Sequence, residues 1–198
     1  MTAIVGPDLF GESPLAGWNE AEEIVTRREE AALIDAIDAA GLVPFRFHGW
    51  LGKRLTVSYG WRYDFEDLSF TPAAPIPDWL LPLRAKAAGF AGLAPDELAQ
   101  ASLLRYDTGA GIGWHRDRAV FEEIVGISLG AAATLRFRRR RPGGFDRASM
   151  ALRPRSIYRL AGEARHGWEH SIAAMTATRW SIIFRSLSNQ HRRRAISR

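Results

Sequence analysis

The chain has 198 residues and a formal net charge of +5, with 46% apolar and 25% charged side chains, the make-up of one globular domain long enough to bury a core. It has no cysteine, which excludes disulfides, thiolate catalysis, zinc fingers and iron–sulfur clusters. No apolar run approaches the roughly 20 residues of a membrane span, and the opening residues 1–12 carry two acids and no base, unlike a signal peptide, so a cytoplasmic protein is expected.

Gly and Pro up to about Gly17 make the opening residues an irregular arm. Asn19 stands where it would cap a helix over residues 20–40, with Ile24, Ala31, Leu33, Ile34, Ile37 and Ala40 on one side and Gly41 as its stop. Residues 43–47 and 55–59 read as strands, joined by an irregular connection at 50–54. Three prolines make 71–77 extended, 79–88 reads as a helix, and a second short helix begins near Pro95. The pattern then changes to short strands at 101–106, 124–129, 133–138, 149–152, 156–160, 168–172 and 179–187. Turn residues at 109–113, 142–144 and Gly162 separate them. Helices first and many strands later predict a mainly β fold, a β-sandwich or jelly roll with flanking helices.

The charge is polarised along the chain. Residues 1–135 hold 11 Lys/Arg against 19 Asp/Glu, whereas residues 136–198 hold 16 against 3. A basic C-terminal part favours an anionic partner, of which nucleic acid is the commonest. Arg outnumbers Lys 25 to 2, so part of this excess also reflects composition and serves only to solvate the surface.

Local chemistry concentrates at Trp114-His115-Arg116-Asp117. In an extended segment His115 and Asp117 point to one face, about 6–7 Å apart at the Cα, as a chelating imidazole and carboxylate. A third ligand from a distant strand would complete a facial triad with open positions. His166 and His170 compete for that place. His170 opens the apolar stretch 170–172 while His166 lies in a polar turn, which favours His170. An HxD pair by itself also occurs in proteins that bind no metal. Further on, Arg179 and Arg185 are an even six residues apart, so both face one side of a strand whose other side carries Trp180, Ile182 and Phe184. On an inward face they would need an anion, and a small dicarboxylate would satisfy both. On an edge strand both would lie in solvent.

Taken together, Leu104-Arg105-Tyr106-x-x-Gly109, His115-x-Asp117, Gly162-Glu163-Ala164-Arg165 through His170, and Arg179-x5-Arg185 resemble the AlkB-like Fe(II)/2-oxoglutarate dioxygenases. The resemblance covers roughly residues 42–187, and Lys53-Arg54 through Tyr59-Gly60 and Tyr63 looks like the substrate lid ahead of that family's core. It implies a double-stranded β-helix (jelly-roll) core with an N-terminal helical and lid extension in one domain. The parts would be an arm and helix at 1–41, lid strands and supporting helices at 42–100, the catalytic core at 101–187 and a basic tail at 188–198. It implies Fe(II) on His115, Asp117 and His170, with 2-oxoglutarate and O2 as co-substrates. Arg179 would hold the far carboxylate of 2-oxoglutarate beside Tyr106 and Ser181, and Arg185 would sit near its C1 carboxylate. The family's usual reaction oxidises an N-methyl group to a hydroxymethyl, which collapses to formaldehyde and the demethylated base.

Two positions depart from the family pattern. Leu104 stands where an Asn often helps bind 2-oxoglutarate, and Ala119 stands where DNA-repair members often carry an acid that reads the base. The expected function is oxidative N-dealkylation of nucleobases in single-stranded or locally opened nucleic acid by a monomer. The alternatives are the same chemistry on a protein side chain or modified RNA nucleoside, a non-catalytic nucleic-acid-binding β-domain, and a zinc hydrolase. Arg136 and Arg138 to Arg141 would contact phosphates at the rim or solvate a turn. Among the aromatics Trp50, Tyr59, Trp61, Tyr63 and Phe65, Tyr59 and Tyr63 are placed near substrate. The tail from His191 to Arg198 reads as mobile.

Overall fold

The computed structural model describes residues 15–47 and 49–196, so most of the expected arm lies outside the described residues. Strand β1 (Trp18–Ala21) comes first, and helix α1 (Arg27–Asp38) follows. The helix expected from residue 20 therefore starts seven residues later. Its N-cap is Thr26, not Asn19: the Thr26 hydroxyl accepts from the Glu29 amide while the Glu29 carboxylate accepts from the Thr26 amide. This reciprocal box outcompetes a lone Asn as a helix start, and Asn19 is instead drawn into a sheet opposite Arg159.

Strands β2 (Val43–Phe47) and β3 (Trp50–Tyr59) form one hairpin. The connection expected at 50–54 is the first half of β3, because Trp50 and Leu51 pair directly with β2. A second, smaller ribbon is built from β4 (Trp61–Tyr63) and β5 (Phe70–Pro72). Gly60 turns the corner between β3 and β4 at φ +74°, where a Cβ would lie 2.1 Å from the Ala99 carbonyl oxygen. Only glycine fits there. Its amide donates to Ala74 and its carbonyl accepts from Ala73, which pins the proline-rich segment against the sheet. Helix α2 (Leu81–Ala91) follows a 3-10 turn at Asp78–Leu80.

The later strands are β6 (Gln100–Tyr106), β7 (Ile112–His115), β8 (Phe121–Gly130), β9 (Ala133–Arg141), β10 (Gly144–Leu152), β11 (Ile157–Leu160), β12 (Glu169–Ile172) and β13 (Arg179–Leu187). A short helix α3 (Gly162–His166) replaces the expected turn before β12. Helix α4 (Asn189–Ile196) replaces the expected mobile tail. Ser188 and His191 share a hydrogen bond of 2.9 Å, and Arg192 reaches Glu97 at 2.8 Å, so this segment is tied to the body by a helix start and an ion pair.

All pairings are antiparallel. A seven-stranded sheet runs β1-β11-β8-β13-β6-β3-β2, and a four-stranded sheet runs β10-β9-β12-β7. Strand β13 is thus central, flanked by β8 and β6, so its arginines are not on a solvent edge. Side-chain alternation then divides the core in two. Ile182 and Phe184 face outward with Leu103, Val125 and Ile127 to meet Ile37, Leu80 and Leu83 of the helical layer. Leu104, Tyr106, Leu135, Phe137 and Tyr158 face inward between the two sheets. Each such fully buried apolar side chain contributes about 1.5–3 kcal/mol. This is the jelly-roll sandwich with outer helices, and its inner cavity is where the two sheets bring their polar residues together.

Candidate active site

Strands β7 and β12 are neighbours, and His115 pairs directly with His170. Cross-strand partners share a face, so both imidazoles enter the cavity, their ring centroids 4.3 Å apart. Asp117 follows β7 by two residues and turns back toward them. One ligand atom from each of His115, Asp117 and His170 lies within 4.8 Å of the others. His166, by contrast, sits on α3 with its Nε2 at 2.8 Å from Glu122, half-exposed and outside the cluster.

The protonation pattern suits a cation. A carbonyl oxygen can only accept, so the 2.9 Å contact to Gly113 fixes the proton of His115 on Nδ1 and leaves Nε2 with a free lone pair. Burial pushes His170 down to about 3, helped by neighbouring His115, so its ring is neutral at physiological pH. Burial likewise lowers His115. Burial of the Asp117 carboxyl would raise it, but the Arg185 guanidinium beside it outweighs this and holds it below the usual carboxylate range. Two neutral imidazoles and one carboxylate form the donor set that non-haem iron takes, with positions left open.

Arg179, Ser181 and Arg185 project inward from β13 with the same phase. Arg179 is 1% exposed, and among the described residues its one side-chain hydrogen bond runs from Nη2 to Ser128 at 3.2 Å. Its Nε has no partner, and no carboxylate of the described residues reaches it. It lies 5.6 Å from the Tyr106 ring, beside Tyr158, whose hydroxyl is pushed up to about 12 by burial. A buried guanidinium without a counter-ion costs several kcal/mol, and an incoming carboxylate would remove that cost through a bidentate pair. Ser181 gives its hydroxyl to the Ile127 carbonyl at 3.1 Å. Arg185 is spent differently: its Nε donates to Asp117 at 2.9 Å while Nη1 donates to Gln100 and Ser102. It orients the carboxylate of the cluster.

Sequence reasoning missed two further guanidiniums at this centre. Arg54 of β3 stacks 3.8 Å over Phe45, has an unpartnered Nε and is near enough to Tyr106, Arg185 and Asp117 to feel their charges. Arg165 of α3 is buried and donates to the carbonyls of Arg118 and Phe121, bracing the loop that carries Asp117. The signal for Arg54 was its even phase with Thr56 and Ser58 along one strand, since Ser58 bonds Ser102 inside the cavity. For Gln100 and Ser102 it was the same two-residue step that ends at Tyr106.

The structure separates the substrate-side expectations. Tyr63 lies beside the Asp117 loop, with Arg118 at 4.8 Å and Phe65 at 5.1 Å. Tyr59 pairs with Ala101 and packs among the helix-side residues, on the face of β3 turned away from the metal cluster. Arg136 pairs with Ser171, one residue past His170, so its side chain leaves the opposite face of the sheet and lies 5.3 Å from Trp114.

A family model described as the 2OG-Fe(II) oxygenase superfamily matches residues 44–195. Over 176 residues the chain is 27% identical to the Arabidopsis thaliana protein named Alkylated DNA repair protein ALKBH8 homolog, covering 76% of this chain and 49% of that one. The chain thus spans about half the length of that relative. The solved structure titled as that of OsALKBH1 shares the fold with a TM-score of 0.69 at 13% identity, over 86% of this chain and 96% of that one.

Proposed function

The chain belongs to the 2OG-Fe(II) oxygenase superfamily, and on that premise we propose that it removes N-alkyl groups oxidatively from nucleobases in single-stranded or locally opened nucleic acid. The observation that carries the oxygenase half is a buried, uncompensated Arg179 guanidinium in the same cavity as the His115, Asp117 and His170 cluster. Those three residues would hold Fe(II), and Arg179 with Tyr106 would take the distal carboxylate of 2-oxoglutarate. When bound, iron and the keto acid supply the oxidising power: dioxygen is reduced, 2-oxoglutarate is decarboxylated to succinate, and an N-methyl group is hydroxylated and lost as formaldehyde.

The chain's own residues do the rest. Arg185 keeps Asp117 ionised and aimed, Gly113 fixes the His115 tautomer, and Phe137 with its neighbours keeps the His170 side of the cavity dry. Leu104 provides apolar wall where a polar contact to the keto acid would otherwise stand, so the charged contacts carry the binding. Nucleic acid is supported by the basic C-terminal part, by Trp50 standing 79% exposed on the β2–β3 hairpin, and by the alkylated-DNA-repair name of the relative. Ala119, exposed on the Asp117 loop, supplies no acid to read a base. That favours a second reading, the same chemistry on a modified RNA nucleoside or a protein side chain. The test is formaldehyde release from N-methylated DNA, RNA and peptide with Fe(II) and 2-oxoglutarate. Release from DNA or RNA above peptide is expected; release from peptide alone would overturn the nucleic-acid reading.

A further inference from the structure

The four-stranded sheet has two faces with different chemistry. His115, His170, Leu135 and Phe137 point into the cavity, whereas Trp114, Glu169, Arg136, Arg138 and Arg140 point out. Across the β9–β10 hairpin, Arg138 stands beside Arg147 and Arg140 beside Phe145. The outer face therefore carries four guanidiniums against one carboxylate among the described residues, Glu169, which is held by Arg138 at 2.6 Å. Two rings are interleaved with them. The Arg138 guanidinium lies 4.6 Å from Trp114 and 4.9 Å from Phe145, with Arg136 also 5.3 Å from Trp114 and Arg147 5.7 Å from Phe145.

Stacked on a ring, a guanidinium is held flat and keeps its N–H edge free to grip an anion. Among the described residues Arg136, Arg140 and Arg147 form no ion pair, and the buried Arg136 Nε and the hydroxyl of Ser171, its partner across the strands, are both without a hydrogen bond. Along β9 the three arginines recur every second residue, a step of about 6.7 Å. That is comparable to the spacing of successive phosphates in an extended single strand. A row of this pitch with aromatic rings between the cations fits a flexible polynucleotide better than a folded acidic protein.

We propose that this outer face is a docking track for single-stranded nucleic acid, separate from the metal cavity on the sheet's other side. Arg136, Arg138, Arg140 and Arg147 hold the backbone phosphates. The row runs along β9 toward the same end of the sheet at which β7, parallel to β9, continues directly into the Asp117 loop, and so feeds the next nucleotides toward the cavity mouth. The track deepens the nucleic-acid reading given above and rests on it for its purpose, but it binds without iron or turnover.

The test is fluorescence anisotropy of the full chain with labelled oligo(dT) and oligo(U), comparing Arg140→Ala/Arg147→Ala with Arg27→Ala/Arg28→Ala. The second pair removes the same charge from α1, on the far side of the molecule. Two lost phosphate contacts on a single strand lower the salt slope by about 1.4 and weaken binding about 25-fold at 0.1 M salt. That loss in the first double variant, with under about threefold change in the second, is the expected result. Equal loss in both would mean diffuse charge attraction and would overturn the track. So would tight binding of phosphatidylserine vesicles with none of either oligonucleotide. Failure of the demethylation assay with this binding intact would sink the reaction assigned to the cavity and leave the track standing; the reverse result would do the opposite.

Discussion

Arg179 is the residue whose replacement separates function from stability most sharply. In the ligand-free protein it is a fully buried cation with one hydrogen bond, to Ser128, and no counter-ion among the described residues. Desolvating a guanidinium costs several kcal/mol even after relaxation, and one charge-assisted hydrogen bond returns about 1.5–3 kcal/mol. Methionine fills much of the same volume without the charge. Arg179→Met should therefore stabilise the ligand-free fold by about 2 kcal/mol, a rise in Tm of about 4–8 °C for a chain of this size. The same change removes the partner of the distal carboxylate, and losing one side of a buried ion pair costs about 3–5 kcal/mol, or about 10²–10³ in affinity or more. Calorimetric melts with and without 2-oxoglutarate, anaerobically with Fe(II), read both effects. The wild type should gain Tm with the keto acid, while the variant starts higher and gains nothing. A variant that melts lower without ligand, or still responds to 2-oxoglutarate, would refute the reasoning that the site holds an uncompensated charge for its ligand.

Three other expectations follow from the same geometry. His115→Ala and His170→Ala should abolish the weak visible charge-transfer band of the anaerobic Fe(II)–2-oxoglutarate complex, whereas His166→Ala, which loses only a surface contact to Glu122, should retain it. Arg185→Met should weaken Fe(II) about 10–100-fold in a chelator competition, because Asp117 loses the group that aims it. Acid should destabilise the metal-free protein well above the carboxylate range. His170 is pushed down to about 3 in the fold against an ordinary value of 6.5, so between those values the unfolded chain takes up a proton that the folded one refuses. Stability is then intact above about pH 6.5 and falls by about 2 kcal/mol between pH 6 and 4.5. Urea titrations at these pH values would show the slope, and His170→Asn should flatten it.

Most strands were legible because the chain states them locally. Residues 133–138 alternate without interruption, and 101–106 and 179–187 are short, largely apolar runs bounded by turn residues, so their existence as strands was readable and the even spacing of Arg179, Ser181 and Arg185 gave their shared face. The failures have local causes of another kind. Asn19 satisfied a capping rule, but Thr26 with Glu29 satisfied a stronger one, and a four-residue segment with no strand signal of its own became β1 by pairing with β11. Residues 50–54 carry Gly52 and two cations, which reads as a loop until the pairing with β2 is known. The polar helices α3 and α4 have little apolar periodicity, and their anchors are long-range contacts to Phe121 and Glu97.

The site divides along the same line. Residues that reach the cavity through strand parity were readable from spacing: His115 with Asp117, and Arg179 with Ser181 and Arg185. Choosing His170 over His166 needed only the contrast between an apolar and a polar neighbourhood, and the pairing of His170 with His115 gives that contrast its geometry. What spacing could not supply is which face of each strand looks inward once the sheets are stacked. Tyr59 was expected in the lid and Arg136 at the cavity rim, and one residue of phase sends each to the face of its sheet turned away from the metal cluster, because a sheet moves a whole side-chain set when parity shifts by one. The same rule explains Arg54, which was set aside as lid sequence although its even phase with Ser58 carries it to the metal cluster. In a jelly roll whose catalytic and outer faces are one strand thick, parity decides which arginines serve the cavity and which face the solvent.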